Sequence, residues 1–245
     1  MALSETTTIQ PTPRISVLID ATDRSSIYLA RSLFALMTRS NLQRLNCEFL
    51  IIVDESDEHN VETVNFFTKY METVAFLIGF APVMEFVKRP ADAKDLPFNV
   101  LAKAARGHWI FPITASTIVK TENWDEHLIE KIEGAELNAA AINFINIPIS
   151  NANMGSPLYI VSQGYYLTLD RIAPHVHAED YIFLLVDAIA KASLTVAPTM
   201  LTINPADIVL VDEEWGSWER SLPENIQAEL DKDIATLKRM IQAGH

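Results

Sequence analysis

Polar side chains able to do chemistry stand at four places in this chain, each against an apolar run. Asp20-Ala21-Thr22-Asp23-Arg24-Ser25 follows Ile15–Ile19, and Asp54-Glu55-Ser56-Asp57 follows Glu48–Val53. Thr114-Ala115-Ser116 follows the run from His108, and His177-Ala178-Glu179-Asp180 opens an apolar stretch. A carboxylate at the end of a buried parallel strand sits where α/β sheets bind ligands, and it can accept hydrogen bonds from ligand N–H and hydroxyl groups. An acid pair in a first helical turn has two readings, stabilisation by the helix dipole and acid–base work. Asp57 and Glu58 fit a solvated helix cap better than a ligand role.

Other chemistries lack their residues. There is no P-loop, no paired Cys-x-x-Cys and no serine-nucleophile elbow. The one cysteine, Cys47, lies in an apolar stretch and cannot form an internal disulfide, so it reads as a buried, inert thiol in a reducing compartment. Nineteen basic against 32 acidic residues give a net charge of -13, which repels nucleic acid and anionic lipid on average. With 245 residues, 49% of them apolar, and a mean hydropathy of +0.13, the chain can bury a substantial core as one domain. The polar start, Met1 to Gln10, has neither the basic nor the apolar segment of a secretion signal. The stretch from Val74 to Val87 is broken by Gly79, Pro82 and Glu85 and is too short to span a bilayer. These features predict a cytoplasmic protein.

The elements that must carry these residues alternate. Ile15–Ile19 reads as a buried strand, Ile27–Thr38 as a helix with Leu29, Leu33, Leu36 and Met37 on one face, Glu48–Val53 as a strand and Val61–Tyr70 as a helix. Met84–Val87 reads as a strand, and Leu96–Arg106 as a helix capped by Gly107. His108–Phe111 reads as a central strand stopped by Pro112, which has no N–H for a ladder. A helix over Asn123–Glu133, a strand over Ala140–Ile145, a mobile loop over Pro148–Ser156 and an edge-like strand over Leu158–Val161 follow. Glu179–Ala192 is apolar almost all round and predicts a buried helix; Pro223–Ala243 predicts a charged amphipathic one. Strand–helix alternation predicts an α/β fold with a mainly parallel sheet between helical layers.

The order of these elements and the four motifs resemble the family 2 glycosyltransferases and their GT-A relatives over roughly residues 14 to 200. Ser16–Arg24 looks like the family's opening strand and Pro-Thr-x-Asn-Arg turn, with Asp23 and Arg24 on the Asn-Arg pair and Asp20 in place of the proline. Ile51–Asp57 looks like the strand ending in Asp-Asp-Gly-Ser. Asn99, then Ala105-Arg106-Gly107 and the strand from His108, keep the family's spacing, and in that register the metal-binding Asp-x-Asp positions fall on Thr114-Ala115-Ser116. Glu179-Asp180 looks like the Glu-Asp motif whose Asp is the general base.

The resemblance implies a GT-A-like three-layer sandwich. A flexible arm would span residues 1–13, a nucleotide-binding half 14–118, an acceptor-side half 119–222 and a C-terminal helix 223–245. It implies transfer of a sugar from a UDP-type donor to an acceptor hydroxyl with inversion. Asp23, Arg24, Asp54, Asn99, Thr114 and Ser116 would bind the donor, and Asp180 with Glu179 would act in catalysis. Two hydroxyls in place of two carboxylates disfavour a tight Mn²⁺ or Mg²⁺ site. Arg24, Arg89, Lys94 and Arg106 are then the cations available to steady the leaving diphosphate. The competing readings are a catalytically silent GT-A-like binding or scaffold module and a transferase acting on modified nucleic-acid bases. His175 and His177 read as loop residues, while Trp215 and Trp218 could stack on a sugar or cover a small satellite core.

Overall fold

A computed structural model describes residues 13–22, 24–44, 46–78, 83–90, 92–150, 158–174, 178–191, 198–212 and 224–242. Asp23, His175, His177, Trp215, Trp218 and most of the expected loop over Pro148–Ser156 lie outside the described residues, as does the side chain of Glu179.

The β-branched run after Arg14 forms β1 (Ile15–Asp20), and its burial on both faces follows from helices above and below it. The helix α1 (Ser26–Thr38) turns Leu29, Leu33, Leu36 and Met37 onto the sheet, and β2 (Cys47–Asp54) then pairs parallel with β1. Asp57 caps α2 (Glu58–Ile78), its carboxylate accepting the Asn60 N–H at 3.0 Å. The cap starts a helix longer at both ends than its periodicity implied. β3 (Val83–Arg89) pairs parallel with β2, and the chain crosses back through α3 (Pro97–Ala104) to β4 (Trp109–Thr114) on the other side of β1.

After β4 come β5 (Thr117–Val119), α4 (Trp124–Gly134), β6 (Asn143–Ile147), β7 (Leu158–Ser162), α5 (Gln163–Leu169), α6 (Ala178–Lys191), β8 (Thr199–Thr202), β9 (Leu210–Asp212) and α7 (Ile226–Gln242). The main sheet has seven strands in the order β3-β2-β1-β4-β7-β6-β8, with β7 antiparallel to both neighbours and the other pairings parallel. β5 and β9 form a small antiparallel pair beside it. One core joins α1, α2 and α4 to one sheet face; the other joins α3, α5, α6 and α7 to the opposite face. This is the expected three-layer α/β arrangement. Each large apolar side chain sealed in these layers, Phe49 or Leu33 for example, contributes roughly 1.5–3 kcal/mol.

Four expectations need correction. Gly107 is not a helix cap: α3 ends at Ala104 with Ala105 as its C-cap, and a Cβ on Gly107 would lie 2.5 Å from the Ser16 amide nitrogen, so the residue is small because β1 passes against it. Pro112 does not stop β4. The amides of Trp109 and Ala115 point to β1, donating to Arg14 and Asp20, so alternation turns the Pro112 nitrogen to the other edge, where β7 pairs only with Trp109 and Ile110. β7 is no edge strand; it lies between β4 and β6, with Ile160 in one core and Val161 in the other. α6 is buried on one face only, since Phe183 is 36% exposed and Lys191 and Asp187 form an exposed ion pair. Cys47 is buried, as its neighbours implied.

Candidate functional site

Parallel pairing puts the carboxyl ends of β3, β2, β1 and β4 side by side, and each ends in a polar residue. Asp54 pairs in register with Arg89, and Asp20 pairs with Ile52 on one side and Thr114 on the other. At about 4.8 Å per strand, the row Arg89, Asp54, Asp20, Thr114 is about 14 Å wide across the strands, with a step of two residues, about 7 Å, between Asp54 and Asp20. The strand order reverses between β1 and β4, because the chain winds outward through β2 and β3 and returns by α3 on the opposite face. Open α/β sheets bind ligands in the crevice at such a reversal, and Asp20 and Thr114 stand on its two sides.

Each member of the row is held locally. The Asp54 carboxylate lies 3.7 Å from the Arg89 guanidinium, which also donates to the Ala93 carbonyl at 3.2 Å. Beside Asp54 is a depression of about 490 Å³ lined with Ser56, Asp57, Glu58 and His59. Asp20 accepts the Thr22 N–H at 2.9 Å and the Thr22 hydroxyl at 2.6 Å. Burial pushes the Asp20 carboxyl up to about 6, against the opposing pull of these two bonds and of Arg24 and Arg89. The turn after β1 is pinned from α2: the buried Asn60 amide donates to the Ala21 and Arg24 carbonyls at 3.2 and 2.8 Å. Motif reading passed over Asp20 and Asn60. The signal for Asp20 was a carboxylate ending an apolar strand where the resembling family has proline.

At the end of β4 the Thr114 and Ser116 hydroxyls are hydrogen-bonded to each other at 2.8 Å, and Ser116 is buried. The intervening Ala115 N–H donates to the Asp20 carbonyl at 2.9 Å, which ties this turn to β1. Two neutral hydroxyls paired with each other do not fit a divalent ion, which prefers anionic oxygens. Among the described residues no group of three or more His, Cys, Asp or Glu could hold one.

The remaining candidates fall elsewhere. The Asn99 side chain is committed to backbone: its oxygen accepts the Ile172 N–H at 2.7 Å and its nitrogen donates to the Ala173 carbonyl at 2.8 Å. Asp180 lies in the first turn of α6, the helix packed on β4, β7 and α7. Arg106 is at the opposite, amino end of the sheet, where its guanidinium and its own amide nitrogen bind the fully buried Glu48, which also accepts from Ser16 at 2.6 Å. It cannot reach a ligand at the carboxyl rim. Lys94 is exposed in the connection between β3 and α3.

Below α6 lies a second polar cluster that sequence reading missed. Arg171 donates to Glu229 at 2.8 Å and to Asp233 at 2.7 Å, and the Tyr181 hydroxyl donates to the other Asp233 oxygen at 2.5 Å. Burial, then this bond to Asp233, push the Tyr181 phenol well above its usual range. No motif marks these residues, because they meet only when α7 folds back.

Known structures share this architecture. The first 349 residues of Staphylococcus aureus TarS align over 91% of this chain at 14% identity with a TM-score of 0.59, and the same fragment with UDP-GlcNAc aligns at 0.57. The mannosyltransferase PcManGT from Pyrobaculum calidifontis, in complex with GDP-Man and Mn²⁺, aligns over 95% at 11% identity and a TM-score of 0.59. The chain spans 65% of the TarS fragment and 75% of PcManGT. No family model matches the sequence, and no curated protein sequence matches it. The structural matches show a GT-A-like fold. No helix among the described residues is long and apolar enough to cross a membrane.

Proposed function

We propose that the protein is a glycosyltransferase that takes a sugar from a nucleotide donor, of the UDP type, and passes it with inversion to an acceptor hydroxyl. The observation carrying this reading is the row of Arg89, Asp54, Asp20 and Thr114 at the carboxyl ends of adjacent parallel strands, beside the strand-order reversal. Asp54, next to Arg89, accepts hydrogen bonds from the nucleobase or ribose, Arg24 follows the same end of β1, and Asp23 joins them on the strength of its motif. The Thr114 hydroxyl lines the diphosphate end and orients it without a metal, and the buried Ser116 hydroxyl holds it in place. Asn99 serves by fixing the backbone at Ile172 and Ala173, ahead of α6.

In the transfer itself the acceptor oxygen attacks the anomeric carbon from the face opposite the diphosphate. The new carbon–oxygen bond forms as the anomeric carbon–phosphate oxygen bond breaks. The acceptor proton passes to the Asp180 carboxylate and the electron pair leaves with the nucleoside diphosphate; Glu179 is assigned to catalysis by its motif alone. Arg24 is the rim cation that balances the leaving charge, while Arg89 holds Asp54 at the nucleobase end. Titration calorimetry with UDP and GDP sugars, with and without Mn²⁺, tests this reading. Micromolar binding of at least one donor is expected, and absence of binding by all of them sinks it.

A second reading, a catalytically silent GT-A module that binds without transferring, is favoured by one observation, the Thr114–Ser116 hydroxyl pair where the family carries acids. Donor binding without transfer or hydrolysis, unchanged in Asp180→Asn, would select it. A nucleic-acid acceptor is opposed by the net charge of -13, and retention on duplex DNA is the measurement that would support it.

A further inference from the structure

Asp233 stands far from Asp180 in the chain, yet it holds both ends of the segment that carries Asp180. One of its oxygens accepts from Arg171 at 2.7 Å, and the other accepts from Tyr181 at 2.5 Å. Arg171 and Tyr181 bracket residues 172–180. Arg171 is also held by Glu229, one turn earlier on α7, at 2.8 Å. Within the bracket, Asn99 on α3 fixes the Ile172 and Ala173 amides, and the buried Tyr165 hydroxyl on α5 donates to the Ile172 carbonyl at 2.9 Å.

We infer that Asp233 on the C-terminal helix is a positioning residue for transfer: by clasping Arg171 and Tyr181 it fixes the turn of α6 from which Asp180 reaches the acceptor. This rests on the proposed role of Asp180 as base. Three features separate such a clasp from ordinary core polarity. Asp233 is 3% exposed, so its charge is held by directed bonds and not by solvent. The Tyr181 end of the clasp is the residue next to Asp180, so rotation of that helical turn moves both side chains together. A base must lie within hydrogen-bond reach of the proton it takes, and a displacement of about 1 Å can cost on the order of a hundredfold in rate. Donor recognition at the ends of β1 to β4 uses side chains that make no bond to Asp233, Arg171 or Tyr181 among the described contacts.

The test compares Tyr181→Phe, Asp233→Asn and Asp233→Glu in the full chain, with a donor for which the wild type shows transfer. Tyr181→Phe keeps the buried ring and removes one bond, so it should fold where a harsher variant does not. Expected for Tyr181→Phe and Asp233→Asn are a fall in kcat of about tenfold or more and an unchanged donor Kd. Asp233→Glu, which can still bridge both partners, should recover part of kcat. A lowered Tm with kcat unchanged below the transition would overturn the inference, because it would show a stabilising role alone. Asp180→Asn is the control: if it abolishes transfer while the clasp variants do not affect kcat, only the clasp falls. If Asp180→Asn leaves transfer intact, or no donor supports transfer in the wild type, the assignment of the base falls and the clasp with it.

Discussion

The Thr114 hydroxyl lies 2.8 Å from the Ser116 hydroxyl across the turn that ends β4. One proton serves this bond and both oxygens are neutral, so the pair lacks the anionic ligands a divalent cation prefers, and the carboxylate in register beside Thr114 is that of Asp20. Donor affinity should therefore change by less than about threefold between millimolar Mn²⁺ and a chelator. The double substitution Thr114→Asp with Ser116→Asp should create a metal response, visible by calorimetry. A tenfold tightening of wild-type binding by Mn²⁺ would refute the metal-free site.

Asp54 and Arg89, 3.7 Å apart at neighbouring strand ends, should act as a unit in donor binding. Asp54→Ala and Arg89→Ala are each expected to weaken affinity about tenfold, near 1.4 kcal/mol. The double variant should lose less than the sum, since each substitution already strips the other residue of its partner. Strictly additive losses in a titration series would show that the two are not coupled.

Asp180→Asn keeps the size of the side chain and removes its capacity to take a proton. Its kcat should fall by about a hundredfold or more while donor Kd stays within error. Equal loss in both quantities would move Asp180 from acid–base work to binding.

Asp20 makes stability depend on pH with a definite sign. Its carboxyl is raised from 3.8 to about 6 in the folded chain, so the folded state holds this proton more tightly than the unfolded state does. The contribution is fully present below about pH 4 and is lost as pH rises through about 6, roughly 3 kcal/mol across the window. Asp20→Asn, which can still accept from Thr22, should raise Tm at pH 7 and flatten this part of the pH–stability curve. Thermal melts from pH 4 to 7.5 that superimpose for variant and wild type would contradict the burial of Asp20.

Gly107→Ala tests the amino end of the sheet. The added methyl would meet the Ser16 amide nitrogen at 2.5 Å and the Ile15 carbonyl carbon at 2.8 Å, both backbone atoms that cannot swing aside. A loss of about 2 kcal/mol or more is expected in urea unfolding. A neutral result would mean that β1 and the Gly107 turn separate easily.

The alternation from β1 to β4 was legible because each element repeats its apolar residues at its own period, as Leu29, Leu33 and Leu36 do against the unbroken run Phe49–Val53. The rim followed from it, since parallel strands must end together. Legibility failed where tertiary context reverses a local rule. Pro112 is a strand breaker only if its nitrogen faces a partner, and Gly107 resembles a helix cap in a sequence that cannot show Ser16 above it. Leu158–Ser162 is apolar on both faces, which signalled an interior strand but was outweighed by the turn-rich residues before it. Short β8 and β9 carry too few residues to display a period. Asp233, Arg171 and Tyr181 were invisible for another reason: buried polar partners are chosen by three-dimensional proximity, and chain spacing holds no trace of it.

Pro112 also has a consequence for the shape of the sheet. β4 and β7 pair through Trp109 and Ile110 and then part, and the next rung in that register would set Pro112 against Tyr159. A residue without an amide proton cannot make that rung, so the two strands are unable to zip together toward the rim. The ladder between β4 and β7 is therefore limited at its rim end by one ring, and the last residues of β4 keep β1 as their ladder partner.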